Sequence, residues 1–233
     1  MDSSIAFKVV DFAIQLAVIL FAISFHESAH AYAALRFGDT TARDLGRISL
    51  NPIRHLDPFG SVLFPLLIYF GSGGRMIFGS AKPTPVNLAN TPNPRLANLV
   101  VSAAGPGSNF LLAFVGLAIL LVIKQFDRQA IIDLFYALQS QRFASGALAP
   151  LTYVLFYFVQ TNVFLALFNL IPIPPLDGSG VILSLFGASV ARFYAVLAPL
   201  GFLILLGLLY TGVLNWIFLP ARVLLVRAVF SGL

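Results

Sequence analysis

Three residues within five positions carry the chemistry that stands out in this sequence: His26, Glu27 and His30, in the run His26-Glu27-Ser28-Ala29-His30. Positions i and i+4 share one face of a helix. Both imidazoles can therefore grip one metal ion, with the Glu27 carboxylate beside it to act on a metal-bound water. Glu27 is the only glutamate in 233 residues. It stands inside an apolar run from Phe12 to Leu35, where a charged side chain costs roughly 3 kcal/mol on insertion scales, so its presence there asks for a functional reason. The chain's own His and Glu frequencies give this pattern by chance on the order of 10⁻⁴ times. The plainer alternative is a pair of buried, hydrogen-bonded histidines with a neutral glutamic acid.

Two histidines do not complete a catalytic zinc site, which takes three protein ligands and an open position for water. His55, beside Arg54 and Asp57 in a turn-rich stretch, reads as a solvated or interfacial side chain. Asp177 follows Pro172-Ile173-Pro174-Pro175-Leu176, and such a break frees carbonyls and lets the chain turn inward where there is a cavity. The same residue could instead cap the next helix, and the sequence leaves those two readings level. Asn169 could donate to an oxyanion or bond a neighbouring helix. Asn162 reads as an interhelical bond, while Asn98 and Ser102 are ambiguous between the two roles.

The elements that must position these groups are apolar. Hydrophobic residues make up 59% of the chain, charged residues 10%, and the mean hydropathy is +0.92. No soluble domain needs that much apolar surface, and apolar runs of about 20 residues match a bilayer. The expected fold class is an all-α polytopic membrane protein of about five transmembrane helices, with a re-entrant segment and short membrane-associated β-strands. Spans are expected at Phe12–Leu35, Leu96–Ile123, Leu151–Ile171, Phe193–Tyr210 and Leu214–Val229, the last short and kinked near Pro220. Phe59–Phe70 is too short to cross and suits re-entry. Gly46–Leu50 alternates like a strand, and the prolines following Met76 make the stretch to Val86 extended. An amphipathic turn is expected at Ile131–Leu138 and a short helix at Gly180–Phe186. The first span is too long for a signal-peptide core and reads as uncleaved. Residues 1–233 read as a single transmembrane domain, 12–186 the catalytic core and 192–230 additional helices, because too little chain remains for a soluble domain.

The net charge of +5 does not point to nucleic acid, because the basic residues stand at span ends. With Phe59–Phe70 re-entrant, Arg36, Arg43, Arg47, Arg54, Arg75, Lys82, Arg95, Arg192, Arg222 and Arg227 fall on one side, and Lys8, Lys124, Arg128 and Arg142 on the other. Ten against four places the first group in the cytoplasm. His30 and His26 precede Arg36 by six and ten residues, so the motif is expected roughly 9–15 Å below the cytoplasmic end. Cysteine is absent, which leaves no disulfide and no thiolate metal site.

Together these pieces resemble the site-2 protease family of intramembrane zinc metalloproteases. The resemblance rests on His26-Glu27-Ser28-Ala29-His30 within a span and on Asn169-Leu170-Ile171-Pro172 followed by Asp177-Gly178. Ala104-Gly105-Pro106 with Asn109 is a weaker third match, and the similarity covers roughly Phe12 to Leu185. It implies that His26, His30 and Asp177 bind one Zn²⁺ and that Glu27 is general base and then acid. It implies that Asn169 and Asn109 serve substrate or transition-state binding. The segments around Arg47–Leu50 and Met76–Val86 resemble the family's membrane-associated strands, which can pair with an unwound substrate. Family members often carry a PDZ or CBS domain, for which this chain has no room, so it resembles a minimal form. Ser179 replaces the usual second glycine after Asp-Gly.

The resemblance implies hydrolysis of a peptide bond in or near a transmembrane segment of a membrane protein, in a prokaryotic inner membrane, with the site toward the cytoplasm. The implied partners are that substrate and the lipid bilayer, with no nucleic acid and no indication of oligomeric state. Two competing classes remain: a divalent-metal transporter, which usually needs more ionisable ligands along its path than this chain offers, and an inactive scaffold that binds membrane segments.

Overall fold

A backbone in hydrocarbon must bond to itself, and the apolar runs accordingly become helices. The computed structural model describes residues 3–74, 77 and 79–232. Its helices are α1 (Ser3–Arg36), α2 (Thr41–Asp44), α3 (Phe64–Gly71), α4 (Pro94–Phe126), α5 (Arg128–Ser140), α6 (Ala149–Asn169), α7 (Asp177–Phe186), α8 (Ala188–Leu197), α9 (Gly201–Thr211) and α10 (Asn215–Phe230). Four helical stretches among the described residues are long and apolar enough to cross a membrane: Ile5–Arg36, Pro94–Phe126, Ala149–Asn169 and Ala188–Thr211. The fifth expected span, α10, has only 16 residues and carries Arg222 and Arg227.

The centre of the bundle is α4, packed between α1 and α6 and antiparallel to both. His30 meets Val101 while Ala22 meets Asn109, and Asn109 in turn meets Asn162. One face of α4 is lined by small residues, which lets backbones approach closely. At Gly116 a Cβ would come within 2.9 Å of Phe158 and Val159 on α6. An apolar core of Leu120, Ile131, Leu134, Tyr153, Phe156 and Val229 fills the end of the bundle away from Arg36, where the 13-residue amphipathic α5 closes it.

The re-entrant expectation has a direct geometric counterpart. The chain enters at a widened helical turn, Pro58–Leu63, and continues through α3. The Tyr69 hydroxyl at its far end donates to the Lys8 carbonyl. The chain then returns, and the Ser80 N–H donates to Gly60 O at 2.9 Å. Both ends of the hairpin therefore lie at the same end of the bundle.

Three expectations need correction. No strand occurs among the described residues, and Met76 lies outside them. The backbone around Ser49 is bonded to the Ser28 hydroxyl and the His55 ring, not to a neighbouring strand. The extended stretch through Thr84 spends its N–H groups on scattered partners in α1 and the preceding turns. The orientation count also changes. Lys124 Nζ donates to Ala228 O and Ser231 Oγ, so the C-terminal end of α10 lies with the end of α4, and Arg227 moves to the smaller group. Finally, α1 starts before Phe12, which brings Asp11 inside the helix.

Candidate metal centre

One turn of α1 stacks His26 above His30, their rings 4.6 Å apart between centroids and almost perpendicular at 83°. Each ring is oriented from its far side. His26 Nδ1 lies 2.6 Å from Asn109 Oδ1, and His30 Nδ1 lies 2.7 Å from the Val101 carbonyl. The Val101 oxygen can only accept. Asn109 is fixed as the acceptor because its own amide nitrogen donates to Asn162 Oδ1 at 2.8 Å and to Ala22 O at 3.3 Å, while Asn162 donates to Phe158 O. Both histidines therefore carry their proton on Nδ1 when neutral and turn a bare Nε2 lone pair inward, the arrangement that a metal-binding imidazole requires.

Asp177 completes the triangle. It is the first residue of α7, and the N-cap position belongs to Leu176, so the capping reading does not hold. Gly178 presses against the Leu170 and Ile171 carbonyls, where a Cβ would come within 2.3 and 2.6 Å. That contact lets α7 start close under the end of α6. Asp177 Oδ2 lies 3.2 Å from His26 Nε2 and 3.4 Å from His30 Nε2, and the two Nε2 atoms are 3.0 Å apart. Asp177 Oδ2 is buried without a hydrogen-bond donor. Three lone pairs facing one another at such distances repel unless a cation lies among them. With zinc–ligand bonds of about 2.0–2.1 Å, the corners of a tetrahedron are about 3.3–3.4 Å apart, close to the observed edges. The donor set fits zinc. Among the described residues, His26, His30 and Asp177 are the one group of potential ligands that converges in this way.

The floor of the site is α4. A Cβ on Gly105 would lie 2.5 Å from the Nε2 atoms of both histidines. Glu27 stands outside the triangle, half-buried, with Oε2 accepting the Thr84 N–H at 2.8 Å.

Comparison with known proteins agrees with this geometry. The profile of peptidase family M50 matches residues 14–208. YwhC of Bacillus subtilis (strain 168), named a zinc metalloprotease, is 38% identical over 205 residues, 87% of this chain and 84% of its own length. Rip2 of Mycolicibacterium smegmatis, also named a zinc metalloprotease, is 32% identical over 208 residues, 89% of this chain and 71% of its own. Rip2 of Mycobacterium tuberculosis (strain H37Rv) is 30% identical over 167 residues, 72% and 55% respectively. No solved structure matches the chain.

The chain belongs to peptidase family M50.

As an M50 peptidase of the site-2 protease type, the protein is an integral membrane zinc metalloprotease. Its other candidate residues fall as follows. Asn109 is fully buried with its oxygen on His26 and its nitrogen on Ala22 and Asn162. Substrate contact was expected of it; in the structure its side-chain oxygen and nitrogen meet His26, Ala22 and Asn162. Asn169 is the last residue of α6, half-buried, with its amide nitrogen donating to Leu165 O at 3.0 Å. His55 is 1% exposed, not solvated, with Nε2 2.7 Å from Ser49 O. Asn98 donates to Gly180 O and Ser184 Oγ, tying α7 to α4. The sequence pattern gave Asn162 no part in the site, yet it holds Asn109. Its only signal was an Asn seven residues before Asn169, on the same helix face.

Proposed function

We propose that this M50 peptidase is an endopeptidase that cuts a membrane protein substrate within or near a transmembrane segment, in regulated intramembrane proteolysis. The observation that carries the reading is the convergence of His26 Nε2, His30 Nε2 and Asp177 Oδ2 among apolar helices, with the Glu27 carboxylate alongside, outside the ligand triangle. His26, His30 and Asp177 would hold the zinc. When bound, zinc supplies a water acidified toward neutral pH and a Lewis acid for the scissile carbonyl.

Glu27 accepts a proton from the attacking water as its oxygen bonds to the carbonyl carbon, and delivers it to the amide nitrogen as the C–N bond breaks. Asn169 uses one amide hydrogen on Leu165 O, leaving the other to steady a substrate carbonyl. Asn109 and Val101 keep the imidazoles from rotating. The peptide bonds of a helical substrate are shielded by the helix's own hydrogen bonds, so local unwinding precedes cleavage and helix-weakening residues favour it. The extended stretch of the chain beside Glu27 supports docking of an unwound segment alongside it.

The whole chain acts as one membrane-embedded domain on this reading, with residues 12–186 the catalytic core. Orientation with the site toward the cytoplasm is supported by the remaining Lys and Arg bias, and placement in a prokaryotic inner membrane by the bacterial relatives.

The test is zinc analysis and cleavage of a fluorogenic transmembrane peptide by purified protein in proteoliposomes. Glu27→Gln is expected to retain zinc and lose cleavage; Asp177→Asn is expected to lose zinc. Undiminished cleavage by Glu27→Gln ends this reading.

A further inference from the structure

Between Ser80 and Asn87 the chain carries no helix, and Pro83 and Pro85 leave it few N–H groups. Those of Ser80, Lys82 and Thr84 point into the protein. They donate, in order, to Gly60 O at 2.9 Å, His55 O at 2.9 Å and Glu27 Oε2 at 2.8 Å. Beyond them the Asn87 N–H donates to Asp39 Oδ2 at 2.7 Å. The stretch is thus tied along its length, and one of its ties is the carboxylate beside the metal centre.

Its sequence is Lys82-Pro83-Thr84-Pro85. Each proline fixes its own φ near −65° and restricts the residue before it to extended conformations. Lys82 and Thr84 both precede a proline, so the backbone on either side of the Thr84 amide is stiff. Between Pro83 and Pro85 there is a single N–H, that of Thr84, and it is given to Glu27. The Thr84 hydroxyl makes a second bond to the same residue, donating to the Glu27 carbonyl at 3.1 Å.

The height of Thr84 is set through His55. The His55 carbonyl receives Lys82, and the His55 ring is locked to the motif helix through a shared acceptor. The Ser49 carbonyl accepts the Ser28 hydroxyl at 2.6 Å and His55 Nε2 at 2.7 Å. His55 is therefore anchored one residue from Glu27 by its ring and two residues from Thr84 by its backbone.

We propose that Thr84, held rigid between Pro83 and Pro85 and anchored through His55, is a positioning residue that fixes the rotamer of Glu27. Glu27 has a long, flexible side chain with no ligand role. Held at Oε2 by a stiff backbone donor, it presents Oε1 to the reacting water. Released, it loses the alignment on which proton transfer depends, and a displacement of about 1 Å can cost on the order of 100-fold in rate. This inference rests on the peptidase reading for its rate consequence but not for its structural one.

Because the chain has one glutamate, ¹³C-glutamate incorporated by cell-free synthesis reports the Glu27 carboxylate alone, in the zinc-loaded protein reconstituted in proteoliposomes. Four proteins are compared with wild type: Thr84→Ser, Thr84→Val, Thr84→Pro, and Pro83→Ala with Pro85→Ala. The ¹³C carboxylate signal is expected to shift and broaden in Thr84→Val and the double alanine variant, most in Thr84→Pro, and to return with Thr84→Ser. With a fluorogenic transmembrane peptide carrying a Gly-Pro break, kcat is expected to fall roughly tenfold or more in Thr84→Val and the double alanine variant, with KM and zinc content unchanged. If Thr84→Pro fails to fold, the double alanine variant removes no bond and still decides the matter. An unmoved carboxylate signal in Thr84→Val and the double alanine variant overturns the proposal. If wild type cleaves nothing while the carboxylate signal moves as expected, the positioning inference stands and the peptidase reading is what has failed.

Discussion

Asn109 Oδ1 lies 2.6 Å from His26 Nδ1, and this one contact decides which nitrogen of His26 faces Asp177. Removing the amide leaves the ring free to rotate or to adopt the other tautomer. Asn109→Ala is expected to weaken zinc binding by about 10–100-fold, the usual effect of losing an outer partner of a ligating histidine. Competition with a graded series of chelators measures it. An unchanged zinc affinity would remove Asn109 from the account of the site.

Gly105 and Gly107 form a matched pair two residues apart on α4. A Cβ at Gly105 would intrude to 2.5 Å on both Nε2 atoms, whereas a Cβ at Gly107 meets nothing within 4 Å. Gly105→Ala is expected to abolish stoichiometric zinc and cleavage. Gly107→Ala, with the same change in helix propensity, is expected to keep both. Equal behaviour of the two variants would mean that α4 does not form the floor of the site.

Asp11 is buried in α1 and accepts from the Tyr69 and Tyr153 hydroxyls and the Gln15 amide. It joins the re-entrant hairpin, α1 and α6 at the end of the bundle away from zinc. Asp11→Ala leaves the Tyr153 hydroxyl and the Gln15 amide without this acceptor and the Tyr69 hydroxyl with only the Lys8 carbonyl, which is expected to cost about 2–4 kcal/mol. Unfolding in mixed micelles measures the loss. Asp11 stands 15 residues before His26 in the same helix, about 22 Å at the helical rise, so zinc content at saturating metal should not change. Stability equal to wild type would contradict the network.

Asp39 supplies the pH dependence. Burial opposes its ionisation, but the donors of Thr41, Asn87 and Asn90 outweigh burial and hold its carboxyl at about 2. The unfolded value is near 4. A folded-state value below the unfolded one contributes stability that is fully present above pH 4 and lost as pH falls toward 2. Asp39→Asn is expected to melt below wild type at neutral pH, with the gap closing across that window. A gap that stays constant between pH 6 and pH 2.5 would refute the assignment.

Much of the site was legible because its chemistry is local. His26 and His30 share a face by helical period alone, and an isolated Glu27 in an apolar run is conspicuous in any fold. The main spans were legible for the same reason, since hydropathy sums over neighbours in sequence. Asp11 escaped because it lies one residue outside the apolar run that defined the first span. His55 escaped because its charged neighbours Arg54 and Asp57 suggest solvent, while its ring turns inward to Ser49.

By itself the sequence determined a helical membrane protein with two histidines and a glutamate on one helix, because those properties follow from residue type and spacing along a single element; the peptidase activity was what the family resemblance implied. Only the tertiary structure decided that Asp177 meets the histidines instead of capping α7, that Asn109 orients a ring, that Gly46–Leu50 pairs with side chains and not with a strand, and that α10 ends beside Lys124. Each of these depends on which faces of distant segments meet. That choice is made by packing, through the close approach that Gly105, Gly116 and Gly178 permit.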